Sequence, residues 1–195
     1  MEKQREKRII LASASPRRRE LLAQMGLSFE VMPSTKEEKM IEAEASKVVE
    51  SLSAQKAEDI AQQIKGDAMI IGSDTIVVCD GEIMGKPHSK EEAFSMISRL
   101  QGRKHQVYTG VTVIDRIAGR EVEKTFAAQA DVTVYPMTDA EIEAYIAKGE
   151  SMDKAGAYGI QGAFGMFVKE IKGEYTTILG LPIAALYQTL KELQA

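Results

Sequence analysis

The chain has 195 residues, 44% hydrophobic and 28% charged, with a formal net charge of −4. That is an ordinary globular composition, long enough to bury a core without staples, and its acidic balance disfavours a nucleic-acid binder, which presents a basic field. The single cysteine, Cys79, excludes an internal disulfide and fits a reducing cytosol, and no apolar run reaches the roughly 20 residues needed to cross a bilayer.

The charged start MEKQREKR leads into only five apolar or small residues, which does not read as a secretory signal. Arg8 to Ala12 predicts a first strand. Ser15 then predicts an N-cap, with Pro16 at the first helical position, where its missing N–H costs nothing. Leu21, Leu22 and Met25 share one face of that helix, and Gly26 ends it. Arg17, Arg18 and Arg19 crowd the helix N-terminus, where the dipole disfavours cations. With the hydroxyls of Ser13 and Ser15 beside them, they form a candidate site for anions, phosphates above all. Three solvated arginines are the plainer alternative, and Arg19 suits it best.

Phe29 to Met32 predicts a second strand. The acidic stretch from Thr35 to Glu44, with Glu37, Glu38, Glu42 and Glu44, reads as a solvent-facing connection. Ala45 to Ile64 predicts a long helix. Lys56 sits there among small residues and, taken alone, reads as a snorkelling surface lysine.

Ala68 to Val78, AMIIGSDTIVV, predicts a strand buried on both faces, yet Ser73, Asp74 and Thr75 stand in its middle. A carboxylate there persists only when something pairs with it. Either Asp74 is a functional group on a rigid strand, or the strand breaks at Gly72 and Asp74 lies in a solvated turn. Cys79 reads as packing. Asp80–Gly81 predicts a hairpin turn into Glu82 to Met84. Pro87 keeps Lys86 extended, so its ammonium projects back towards Asp74. Ser89 and Glu92 predict a capping box for a helix over Lys90 to Leu100.

Gln106 to Asp115 and Glu121 to Tyr135 predict two more strands. Thr138 and Glu141 predict a second capping box, opening a helix over Asp139 to Ala147. The glycine-rich Asp153 to Gly165 permits close backbone approach, while Tyr158, Ile160 and Phe164 call for burial. Phe164 to Ile171 predicts a strand, Tyr175 to Leu179 another short one, and Pro182 opens a final helix through Leu193. No repeat or linker interrupts the chain, which reads as one α/β domain spanning residues 1–195. His88 and His105 are the only histidines, no Cys/His zinc spacing exists, and no Ser–His–Asp triad has support.

Arg17 and Arg18, Asp74, and Lys86 together suit hydrolysis of a phosphoanhydride. Cations neutralise phosphate oxygens, a carboxylate pair holds Mg²⁺, and a carboxylate base activates water.

The runs SASPRRRELL (Ser13 to Leu22), SDTIV (Ser73 to Val77), GKP (Gly85 to Pro87), DKAGAYGIQG (Asp153 to Gly162) and GLP (Gly180 to Pro182) resemble the motifs of the Maf family of nucleoside triphosphate pyrophosphatases. The resemblance covers the chain from Arg8 to the last helix. It implies an elongated mixed sheet flanked by helices, with two lobes around a cleft, as in inosine triphosphate pyrophosphatases. It implies cytoplasmic house-cleaning hydrolysis of nucleotides, dependence on Mg²⁺ or Mn²⁺, and a homodimer, with neither nucleic acid nor membrane as partner. By position, Asp74 matches the catalytic proton acceptor near the metal. Ser13, Arg17, Arg18, Lys56 and Lys86 match phosphate-binding residues, and Glu38, with Glu37 adjacent, matches a metal-assisting carboxylate. Arg17, Thr75 and Gln161 resemble the specificity residues of the branch acting on dTTP and UTP. A Gln amide carries both donor and acceptor, so it can pair with a carbonyl and the N3–H of thymine or uracil. Gln161 merely tying its loop to its neighbours is the alternative. The other function class is a nucleotide-sensing regulator of septum formation without significant turnover.

Overall fold

The computed structural model describes residues 7–36, 39 and 44–194. The elements run β1 (Arg8–Leu11), α1 (Pro16–Gln24), β2 (Glu30–Val31), α2 (Ala45–Gln63), β3 (Ala68–Cys79), β4 (Glu82–Met84), α3 (Lys90–Leu100), β5 (Lys104–Ile117), β6 (Arg120–Val134), α4 (Asp139–Ala147), β7 (Val168–Lys172), α5 (Tyr175–Leu179) and α6 (Ile183–Gln194). The strands form one mixed sheet in the order β2-β1-β3-β5-β6-β7, with β4 also on β3. β1 is parallel to β2 and β3, and the remaining pairs are antiparallel.

β3 is the central strand and runs unbroken through Gly72. Its period-two alternation separates two cores. Ile70, Ile76 and Val78 pack beneath α2 with Val49, Leu52, Ala57 and Ile60. On the other face, Met69 and Ile71 join α1 and α6 through Leu21, Leu22, Leu186 and Leu190. Val77 and Cys79 join α3 and α4 through Ile97, Leu100, Ile142 and Tyr145. Ile160 packs against both of these clusters. Cys79 is fully buried, as its packing role requires.

The pairing leaves a gap that matters for function. β5 lines one edge of β3 from Ala68 to Val78. The opposite edge is taken by β1 up to Ile71 and by β4 only from Val77 onward. Among the described residues, Gly72 to Ile76 therefore has no strand beside it on that edge. A strand gap lets residues of both faces reach one opening.

Three predicted elements take another form. Tyr175 to Leu179 is helical although Tyr, Thr and Ile favour strands. Gly173 at φ 119° turns the chain in, and Gly180 at φ 103° closes the turn by donating to the carbonyls of Thr176 and Thr177. Tertiary context overrides propensity. Ala163–Phe167 is a 3₁₀ turn, so the strand begins only at Val168. Phe164 is drawn into the core against the Tyr145 and Tyr158 rings. The box at α3 is offset by one residue: Ser89 Oγ accepts from Glu92 N at 3.1 Å, but Glu92 Oε2 accepts from His88 N at 2.7 Å. The box at α4 is complete.

Candidate active site

The gap in β3 opens into a cleft of roughly 1070 Å³. Asp74 and Thr75 form part of its wall, with Ser13, Arg17 and Arg18 from the start of α1, Lys56 from α2, Lys86 beyond β4, and Gln161 from the glycine-rich segment. The motifs scattered along the chain therefore converge on one cavity. Glu38 and Glu37 lie outside the described residues.

Asp74 points under α2, where its carboxylate pairs with the Lys56 ammonium; the two side chains are 14% and 13% exposed. Lys56 is thus no surface lysine. α2 lies close enough for this because Gly72, on the same face, leaves no side chain in the way: a Cβ there would stand 2.3 Å from Ser53 O. Lys86, expected to project back towards Asp74, shares the cleft wall with it, but among the described residues the ion-pair partner of Asp74 is Lys56. Lys56 holds that carboxylate from the helix side, and Lys86 stays exposed on the cleft wall.

The three arginines separate rather than form one cluster. Ser15 caps α1 as expected, its Oγ accepting from Arg18 N at 3.5 Å. The Arg18 side chain turns inward: Nε donates to Gly180 O (2.8 Å), Nη1 to Ser13 Oγ (3.2 Å) and Nη2 to Thr75 Oγ1 (3.1 Å). Arg17 faces Asp153 at 3.8 Å, and Arg19 is exposed. Burial opposes the charge on Asp153, but the hydrogen bond and charge of Lys154, with Arg17 beyond, hold its carboxyl below the usual range.

Several participants carry no signal in side-chain reading. The carbonyl of Gly180 accepts from both Arg18 Nε and Ser73 Oγ, the latter at 2.9 Å. Thr109, fully buried, joins Thr75 to the carbonyl of Thr177. Glu150 also lines the cleft, and its Oε2 accepts from Ala163 N at 3.0 Å, steadying the segment that carries Gln161. The glycine-rich segment does use its small residues for close approach: Gly156 lies against Val77 and donates its N–H to Gly85 O at 3.0 Å, pinning the turn that carries Lys86.

Behind that segment, His105 Nε2 and Tyr158 OH share a hydrogen bond of 2.7 Å, and burial pushes the His105 imidazolium down to about 4 against a weaker pull from Asp131. The folded state therefore holds His105 neutral, while the unfolded chain protonates near its ordinary value of 6.5. Its stabilising contribution is complete above that value and declines as pH falls towards 4, by on the order of 3 kcal/mol in all. Urea unfolding across that range is expected to show a shallower pH slope in His105→Gln than in wild type. Equal slopes would discount His105 as the titrating group.

A family model described as Maf-like protein matches residues 8–193. The chain belongs to the Maf-like family. Maf-like relatives include a dTTP/UTP pyrophosphatase of Agathobacter rectalis, 48% identical over 95% of this chain and 97% of its own. Another dTTP/UTP pyrophosphatase, of Lachnoclostridium phytofermentans, is 49% identical over 94% of each chain, and one of Bacillus anthracis is 43% identical over 95% of each. Among solved structures, a nucleoside-triphosphatase, or dITP/XTP pyrophosphatase, of Mycobacterium abscessus overlaps 67% of this Maf-like chain and 75% of its own, with 13% identity and a TM-score of 0.43, an overlap too loose to carry an argument.

Proposed function

We propose that this protein hydrolyses dTTP and UTP, and modified pyrimidine analogues of them, to the monophosphate and pyrophosphate. The observation that carries the reading is the meeting of Asp74, its Lys56 partner, the α1 arginines, Lys86 and Gln161 around one cleft. The names of relatives at 43–49% identity support the same activity. They weigh against a nucleotide-sensing regulator without turnover.

Ser13, Arg17, Arg18 and Lys86 bind the triphosphate, offering charge-assisted donors to its oxygens. Asp74 takes a proton from water as the water oxygen bonds to phosphorus. The bridging oxygen between the α and β phosphates leaves with the other fragment. Lys56 orients the Asp74 carboxylate for that transfer. Arg18, held at three points, meets the developing charge with little reorganisation.

No group of three or more His, Cys, Asp or Glu side chains able to hold a metal occurs among the described residues. Asp74, Glu150 and Asp153 are the described carboxylates lining the cleft, and Asp74 is the one this reading puts at the reacting centre. That donor fits Mg²⁺ or Mn²⁺, because Mg²⁺ is commonly bound by one or two carboxylates and completed by substrate phosphates and water. Asp74 and Glu38 would hold the ion, which when bound neutralises triphosphate charge and polarises the phosphoryl oxygens. We further propose a cytoplasmic homodimer acting on free nucleotides. No helix among the described residues is long and apolar enough to cross a membrane.

The test is kcat/KM of purified protein for dTTP, UTP, dCTP, CTP and GTP with Mg²⁺, with Mn²⁺ and with excess chelator. Light scattering of the same sample, expected at twice the mass of one chain, checks the dimer. The expected result is pyrophosphate release from dTTP and UTP, metal-dependent and weakened in Gln161→Glu, where an amide donor is lost. A preference for GTP or CTP would refute the base assignment. Orthophosphate as sole product would refute the bond cleaved, and full turnover in chelator the metal.

A further inference from the structure

A chain of hydrogen bonds leads from the cleft into the core. Arg18 Nη2 lies 3.1 Å from Thr75 Oγ1, which lies 2.9 Å from Thr109 Oγ1, which lies 2.7 Å from the carbonyl oxygen of Thr177. Thr75 and Thr109 are directly opposed on β3 and β5. The polarity of this chain follows from counting protons. A carbonyl only accepts, so Thr109 donates to Thr177. A hydroxyl has one hydrogen, so Thr109 has none left for Thr75 and must accept from it. Thr75 has then committed its own hydrogen, and accepts from the arginine, which only donates. The order is Arg18 to Thr75 to Thr109 to the Thr177 carbonyl, and no link can be reversed.

We infer that Thr109, buried behind the cleft wall and not part of its lining, is a positioning residue that fixes Thr75 as a hydrogen-bond acceptor and thereby orients the Arg18 guanidinium. This rests on the reading of Arg18 as a triphosphate ligand. Without the Thr109 acceptor, the Thr75 hydroxyl rotates freely and its hydrogen competes with Arg18 for the same direction. Arg18 keeps Ser13 and Gly180 but loses the contact that sets the third corner of its plane. The charge remains in the cleft, so ground-state binding changes little. Alignment with charge that develops only in the transition state is what is lost.

The experiment compares Thr109→Val, Thr109→Ser, Thr75→Val and the Thr75→Val/Thr109→Val double variant with dTTP. Thr109→Val is expected to lower kcat about tenfold while KM moves less than about twofold, the pattern of a lost transition-state interaction. Thr109→Ser, which restores the hydroxyl, should recover kcat to within about twofold. In the Thr75→Val background the second substitution should add less than about twofold, because the relay is already cut. Unchanged kcat in Thr109→Val, or the same fractional loss in both backgrounds, overturns the relay and leaves Thr109 a tie between β5 and α5. If Thr109→Val does not fold, Thr109→Cys replaces it with the same expected loss of kcat and the same overturning result. Wild type that releases no pyrophosphate from dTTP fails the proposed function instead. The relay is then judged by the ¹H–¹⁵N resonances of the Arg18 guanidinium, which Thr109→Val must shift in the wild-type background and not in Thr75→Val; resonances that stay put in both overturn it.

Discussion

Replacing Asp74 by Asn is expected to lower the rate of pyrophosphate release by about 10²- to 10⁴-fold, the range for loss of a general base. That corresponds to roughly 3–5 kcal/mol of barrier. The carboxamide matches the carboxylate in shape and can still accept a hydrogen bond from Lys56, so the fold should persist. What it cannot do is take a proton from water or carry the negative charge that Lys56 faces. Measuring turnover of dTTP alongside a thermal melt separates the two effects. A melt close to wild type with the rate reduced supports Asp74 as the base. Near-normal turnover would sink the mechanism, wherever the triphosphate binds.

Much of the site was legible because its residues break local rules. Asp74 interrupts an apolar strand, and three cations crowd a helix N-terminus. A stretch with four glycines also carries aromatic residues that need burial. Each conflict has its explanation in tertiary structure. Asp74 has Lys56, and Arg18 escapes the helix dipole by reaching Gly180 and Thr75. Lys56 itself was illegible from its neighbours and was indicated only by the family resemblance, since a lysine among small helical residues is ordinary. Its role depends on which face of α2 lies on β3, a fact of packing. The acceptors that hold Arg18 and Thr109 are backbone carbonyls, which no reading of side chains reveals. The strand expected at Tyr175 to Leu179 failed for a related reason. Its residues favour strands, but the glycines on either side turn it into a helix whose carbonyls face the site. The gap along β3 likewise comes from where β1 stops and β4 begins, and pairing partners are not written in either strand alone.

Gly110→Ala is expected to destabilise the protein by about 3 kcal/mol or more, at or beyond the usual range for overpacking. Gly110 stands opposite Asp74 in the β3–β5 register and faces α2. A Cβ on it would lie 2.0 Å from Val49 O, 2.3 Å from Val49 C and 2.8 Å from Glu50 N. All three are backbone atoms of a helix, so no side chain can rotate aside. Gly72 makes the same kind of contact one turn further along, where a Cβ would meet Ser53 O and Ala57 N. The two glycines seat α2 directly on the sheet, and the Ser53 hydroxyl locks it there through a 2.9 Å hydrogen bond to Thr112. Lys56 is carried on the next turn. An alanine at 110 must therefore either lift α2 by more than an ångström or bend β5 away from it, and both movements part Lys56 from Asp74. Urea unfolding should show the midpoint lowered, and dTTP turnover at a temperature where the variant remains folded should fall as well. Wild-type stability for Gly110→Ala would mean that α2 does not rest on the sheet at this point. Lowered stability with wild-type turnover would mean that the Lys56–Asp74 pair does not depend on how the helix is seated.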